Sequence, residues 1–119
     1  MVAVNYLTTH KQVIYKKAGD VIFHEGDTGE RVYGVLSGQV ELSHKGRVLD
    51  TLSEGGIVGE AVMLGKDAYC TTATAVSDVT LSVMERHQFL WLVQQTPTFA
   101  TQLMSAMSDR VEKVAQLLD

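Results

Sequence analysis

The chain has 119 residues, 45% of them hydrophobic, which suffices for one domain with one core and is too little for a ligand domain plus a separate effector domain. A net charge of -4, a pI of about 5.5 and scattered lysines and arginines leave no basic face to collect phosphates along a duplex, so direct nucleic-acid binding is not expected. No apolar run approaches the roughly 20 residues needed to span a bilayer. The start, Met1-Val2-Ala3-Val4-Asn5-Tyr6, lacks a charged stretch followed by a long apolar centre, and Cys70 as the only cysteine excludes an internal disulfide and a cysteine cluster for zinc. These features lead us to expect a protein of the cytoplasm.

From position 12 to position 84, short β-branched or alternating runs are broken by Gly and Asp clusters, the punctuation of many short strands. Candidate strands are Val13-Ile14-Tyr15, Val21-Ile22-Phe23, Val32-Tyr33-Gly34-Val35-Leu36, Val40-Glu41-Leu42-Ser43 and Val48-Leu49-Asp50-Thr51-Leu52, with 72–76 and 79–84 closing the set. Between them, Glu25-Gly26-Asp27-Thr28-Gly29-Glu30 is too polar and glycine-rich for a strand and reads as an exposed connection. Val40 and Leu42 alternate with Glu41 and Ser43 and are followed by His44-Lys45-Gly46-Arg47, the pattern of a hairpin whose glycine supplies a positive φ. The other glycines, Gly19, Gly26, Gly38 and Gly55-Gly56, are read as turn and bulge residues.

At Gly59-Glu60-Ala61 a Gly-Glu pair opens a short helical turn. Such a turn offers backbone N–H groups and a dipole end to an anion, while the Glu side chain can accept from a sugar hydroxyl. The plain alternative is that Glu60 is only a helix-terminal carboxylate, a contribution of about 0.3–1 kcal/mol that needs no ligand. After Met84 the period becomes helical: Phe89, Leu90, Leu92 and Val93 form a short helix that ends at Thr96-Pro97. Thr96 as N-cap and Pro97 at the first helical position then open a second helix. In it Met104, Met107, Val111, Val114 and Leu118 step by three and four, the rhythm of a helix that pairs with another, and Leu103 and Leu117 widen the stripe. Arg110 and Glu112 are placed at its charged rim, although the same stripe would also suit a helix covering its own roll.

The set formed by Gly19-Asp20-Val21-Ile22-Phe23-His24-Glu25-Gly26-Asp27, the beat from Tyr33 to Val40, Gly59-Glu60 and the helices after Glu85 resembles the cyclic-nucleotide-binding domain family over nearly the whole chain. The resemblance implies a mainly β fold, a double-stranded β-helix of jelly-roll type over about 12–84, with short flanking helices and a C-terminal helix within about 85–118. It implies that the backbone at Gly59, Glu60 and Ala61 holds a phosphate, that Glu60 bonds the ribose hydroxyl, and that Tyr69, Cys70, Thr71 and Thr72 complete the pocket. In that family an arginine stands where this chain has Tyr69. Each charge-assisted hydrogen bond of such an arginine is worth about 1.5–3 kcal/mol. Losing two of them weakens binding by roughly two to four powers of ten, and a phenol donates one neutral bond instead. Lys66 lies in the same loop, but a flexible ammonium does not reproduce a bidentate fork.

The resemblance also implies a homodimer through the C-terminal helix. Bacterial regulators of the family continue into a helix-turn-helix, and this sequence, ending at Asp119, is not expected to be a complete transcription factor of that kind. His10, His24, His44 and His87 are dispersed without metal-ligand spacing and are expected to be surface or half-buried, and Cys70, taken by itself, reads as a small core residue. No nucleophile and base stand at useful spacing, so neither a metal, a cofactor nor an enzyme is expected. The leading expectation is a stand-alone regulatory module that binds a cyclic nucleotide or other small anion weakly or with altered specificity. The alternative is a ligand-free dimeric interaction scaffold with a degenerate pocket.

Overall fold

A computed structural model describes residues 12–118. The expectation for His10 lies outside the described residues. The chain is mainly β: β1 (Gln12–Lys16), β2 (Val21–Phe23), β3 (Arg31–Ser37), β4 (Val40–His44), β5 (Arg47–Leu52), β6 (Ile57–Val58), β7 (Thr72–Ala75) and β8 (Val79–Glu85). A short 3-10 turn, Glu60–Met63, interrupts the strands, and two helices, α1 (Arg86–Gln95) and α2 (Pro97–Leu117), follow them. The strands form two four-stranded antiparallel sheets, ordered β1-β8-β3-β6 and β2-β7-β4-β5. Consecutive strands repeatedly fall in different sheets, which winds the chain into the expected β-roll. Each sheet turns an apolar face inward, and Val35, Val40, Leu42, Val58, Ala73, Ala75 and Leu81 belong to the core that results.

The strand expectations match the observed elements closely because the alternation was local and strong. In β4, Val40 and Leu42 are buried while Glu41 and Ser43 are half-buried, and the connection to β5 has φ 50° at Lys45 and 81° at Gly46, a hairpin turn with both central residues left-handed. The sequence reading missed β6, whose two residues pair with Tyr33 and Gly34 at the edge of the first sheet. Two residues carry no periodicity of their own. β8 lies between β1 and β3, and Leu81, Ser82, Val83 and Met84 along it are all buried, so that it reads as a continuous run.

α1 starts at a capping box that the sequence reading overlooked: the Gln88 side chain accepts from the Glu85 N–H at 2.9 Å, and the Glu85 carboxylate accepts in return from the Gln88 backbone. Pro97 occupies the first turn of α2 as expected, while Thr96 makes no side-chain capping bond. Phe89 of α1 and Phe99 of α2 meet edge to face, with ring centroids 5.8 Å apart and planes at 78°, and this contact folds α2 back along the roll.

Gly38, between β3 and β4, has φ 86°, and a Cβ there would press on the Asp78 carbonyl and lie 2.9 Å from the Val79 Cα. Gly38→Ala is therefore expected to cost about 2 kcal/mol, from strained backbone conformation and a clash that neither rigid strand end can relieve. Chemical denaturation checks it, and an unchanged midpoint would contradict this account of the turn.

Candidate functional site

Gly59 enters the 3-10 turn with φ 88°, and its missing side chain leaves room for the rings of Tyr69 and Phe23, each about 3.2–3.3 Å from where a Cβ would stand. Beyond it the turn projects Glu60 inward, 7% exposed, under α2. The space between turn, roll and α2 is a cavity of about 420 Å³ bounded by Phe23, Leu42, Leu49, Gly59, Glu60, Ala61, Leu64, Lys66, Tyr69, Cys70, Thr71, Met107, Arg110, Val111 and Val114. Most residues expected from the sequence thus share one pocket: Gly59, Glu60, Ala61, Tyr69, Cys70 and Thr71. Thr72 stands apart, its hydroxyl accepting the Glu25 N–H at 3.0 Å and so tying the connection after β2 to β7.

Glu60 is held by charge. Arg110 of α2 donates from Nη1 to Glu60 Oε1 at 2.9 Å and from Nε to Asp50 Oδ2 at 3.3 Å, and Lys113 donates from Nζ to Asp50 Oδ1 at 2.5 Å. Two carboxylates of the roll therefore balance two cations of the helix. The side chains alone of Arg110, Glu60 and Asp50 are 16%, 10% and 6% exposed. Burial pushes the Asp50 carboxyl up, but the hydrogen bonds from Lys113 and Arg110 together outweigh it and hold the group below the ordinary value of 3.8.

This corrects the placement of Arg110 at a solvent rim. Positions 107, 110 and 114 are three and four residues apart, so Arg110 shares the face of Met107 and Val114 that looks into the pocket. A carboxylate pair 50 and 60 residues away draws it inward. The signal available in the sequence was its position between Met107 and Val114, but its partners were not.

Tyr69 is 6% exposed and lies against Phe23 with ring centroids 4.0 Å apart and planes 15° from parallel. Its hydroxyl donates to the Arg31 carbonyl at 2.8 Å, so the bond that the sequence reading offered to a ligand is spent within the chain. The phenol is pushed above its usual 10.0 by burial and by the neighbouring Tyr33. Lys66 lines the pocket and is exposed, and Cys70, expected as a small core residue, is exposed as well because it lies on the open side of the loop before β7. Behind the pocket, His44 meets Glu25 at 2.8 Å, and its Nδ1 is 3.2 Å from the Cys70 carbonyl.

The expected pairing stripe is divided. Met107, Val111 and Val114 line the pocket, while Met104, Val111 and Leu118 are 63%, 68% and 79% exposed. The turn is also wired to α1, because Arg86 Nη2 donates to the Val62 carbonyl at 2.7 Å. Among the described residues no group of three or more His, Cys, Asp or Glu is placed to hold a metal ion, and no helix is long and apolar enough to cross a membrane.

Residues 13–96 match the family model of the cyclic nucleotide-binding domain. The cyclic AMP receptor protein of Thermus thermophilus is 33% identical over 106 residues, covering 85% of this chain and 49% of that protein. A cGMP-dependent protein kinase of Caenorhabditis elegans is 27% identical over 114 residues, 87% of this chain and 15% of the kinase. The crystal structure of the Thermus thermophilus catabolite activator protein superposes with a TM-score of 0.77 at 30% identity, covering 98% of this chain and 57% of that one. This chain spans about half the length, or less, of the curated relatives it matches.

Proposed function

We propose that this chain, which belongs to the cyclic-nucleotide-binding domain family, is a regulatory module whose pocket between the 3-10 turn and α2 binds a small anionic ligand, a cyclic nucleotide bound weakly or another anion bound in its place. The observation that carries this reading is the Glu60–Arg110 pair at 2.9 Å, which puts a wall of the ligand pocket and the orientation of α2 under one interaction. A ligand hydroxyl that takes Glu60 competes with Arg110 for the same carboxylate oxygen, and a ligand seated against Met107, Val111 and Val114 touches α2 itself. Either contact has a different free energy with α2 docked and undocked, which is the condition for moving the helix; a ligand indifferent to the two arrangements would shift nothing. Arg86 on the Val62 carbonyl extends the same influence to α1.

Titration with cAMP and cGMP, followed by calorimetry and by the emission of the single tryptophan, Trp91 on α1, tests the reading. Weak binding with a change in Trp91 emission is expected. A Tyr69→Arg protein that circular dichroism reports as folded should bind cAMP about 100-fold more tightly or better, because it regains charge-assisted bonds to the phosphate. Heat from neither nucleotide in either protein, together with unchanged melting temperatures, would count against cyclic-nucleotide binding.

The exposed Met104, Val111 and Leu118 favour a second reading, a dimeric interaction scaffold. A dimer in light scattering that Met104→Lys or Leu118→Lys splits, and that Glu60→Ala leaves intact, would support it.

A further inference from the structure

We infer that the pocket's ligand is an anionic amphiphile, a carboxylate carrying an acyl or aryl body, rather than a sugar phosphate. The inference rests on the reading above that this pocket is a ligand site, and it specifies the ligand's chemistry. A cavity of about 420 Å³ is of ligand size. Its walls are chiefly hydrocarbon: Phe23, Leu42, Leu49, Leu64, Met107 and Val111.

The charged and phenolic groups under α2 are already engaged, which leaves the Thr71 hydroxyl and the Cys70 thiol as the small polar side chains on the wall. Tyr69 donates away from the cavity to the Arg31 carbonyl, Glu60 and Arg110 close on each other, and Arg110 has Asp50 as a second partner. A cyclic nucleotide placed there would bring its ribose hydroxyl, its phosphate oxygens and the polar edge of its base against hydrocarbon, and each polar group buried there without a partner is penalised. An acyl or aryl body makes no such demand and gains from the same walls.

The head group is indicated by the charge on the exposed lining residue Lys66. Among the described residues Lys66 appears in no ion pair, whereas the cations deeper in the site are neutralised by Asp50 and Glu60. An apolar body under α2 with a carboxylate at Lys66 satisfies both ends. Because three of its walls, Met107, Val111 and Val114, belong to α2, such a ligand holds the helix against the roll.

The test is calorimetric titration of the full chain with hexanoate, octanoate, decanoate, decanol and cAMP, all below micelle-forming concentrations. The dissociation constant should fall about fourfold for each methylene added to the carboxylate series. Decanoate should bind more tightly than decanol, Lys66→Gln should abolish that difference while leaving decanol unchanged, and Val111→Asp, at an exposed helix position, should weaken the whole series. A flat dependence on chain length, a series indifferent to Val111→Asp, or cAMP binding more tightly than decanoate would overturn the amphiphile while leaving the ligand-driven reading standing. No binding of any probe, with unchanged melting temperatures, would overturn both.

Discussion

Arg110→Met is expected to lower the stability of the domain by about 3 kcal/mol, because truncating one partner of a buried ion pair strands the charges that remain. Glu60 loses the Nη1 donor at 2.9 Å and Asp50 the Nε donor at 3.3 Å, and both carboxylates are too enclosed for water to replace them fully. For a domain of this size the melting temperature should fall by about 10–20 °C. The double variant Arg110→Met with Glu60→Gln should recover part of the loss, since a neutral amide is less costly to bury than an unpaired charge. A loss under about 0.5 kcal/mol would mean that the cluster behaves as a solvent-screened surface pair.

The same cluster sets an acid limit. Asp50 titrates lower in the folded state than its ordinary 3.8, so its bonds contribute stability that is present above about pH 4 and is lost as pH falls through the folded value. The stability gap between wild type and Arg110→Met should therefore narrow on acidification below pH 4. A gap that stays constant to pH 2 would assign the loss to packing of the arginine stem and not to charge.

Tyr69→Ala is expected to be more damaging still, about 4 kcal/mol, whereas Tyr69→Phe should cost about 1 kcal/mol. The alanine removes a ring stacked on Phe23 and opens a void beneath Gly29, where a Cβ would lie 2.5 Å from the Tyr69 ring, so the backbone there cannot readily collapse. The phenylalanine removes only the 2.8 Å bond to the Arg31 carbonyl. Because the phenol titrates above 10.0 when folded, stability is full below pH 10 and falls as pH rises through the raised value, a loss that Tyr69→Phe should lessen. Equal costs for Phe and Ala would mean that the hydroxyl, not the ring, maintains this wall. These two residues bound the pocket from opposite sides, the ring from the roll and the guanidinium from α2, so each variant also changes the cavity in which a ligand sits.

What the sequence by itself determined was local. Alternation at 40–43 placed a strand with one face inward, Lys45-Gly46 made its turn, and Thr96-Pro97 separated two helices, since each depends on residues within a few positions of one another. The Gly59-Glu60 turn was legible for the same reason, and the arginine missing at Tyr69 was legible through the family resemblance. Only the tertiary structure decided what those residues meet. β6 exists because an edge strand accepts two residues, Arg110 faces inward because Asp50 and Glu60 await it across the fold, and Tyr69 is a stacked wall because Phe23 lies against it. Such pairings join residues tens of positions apart and arise when two sheets close and a helix folds back over them, a geometry that no short window of sequence contains.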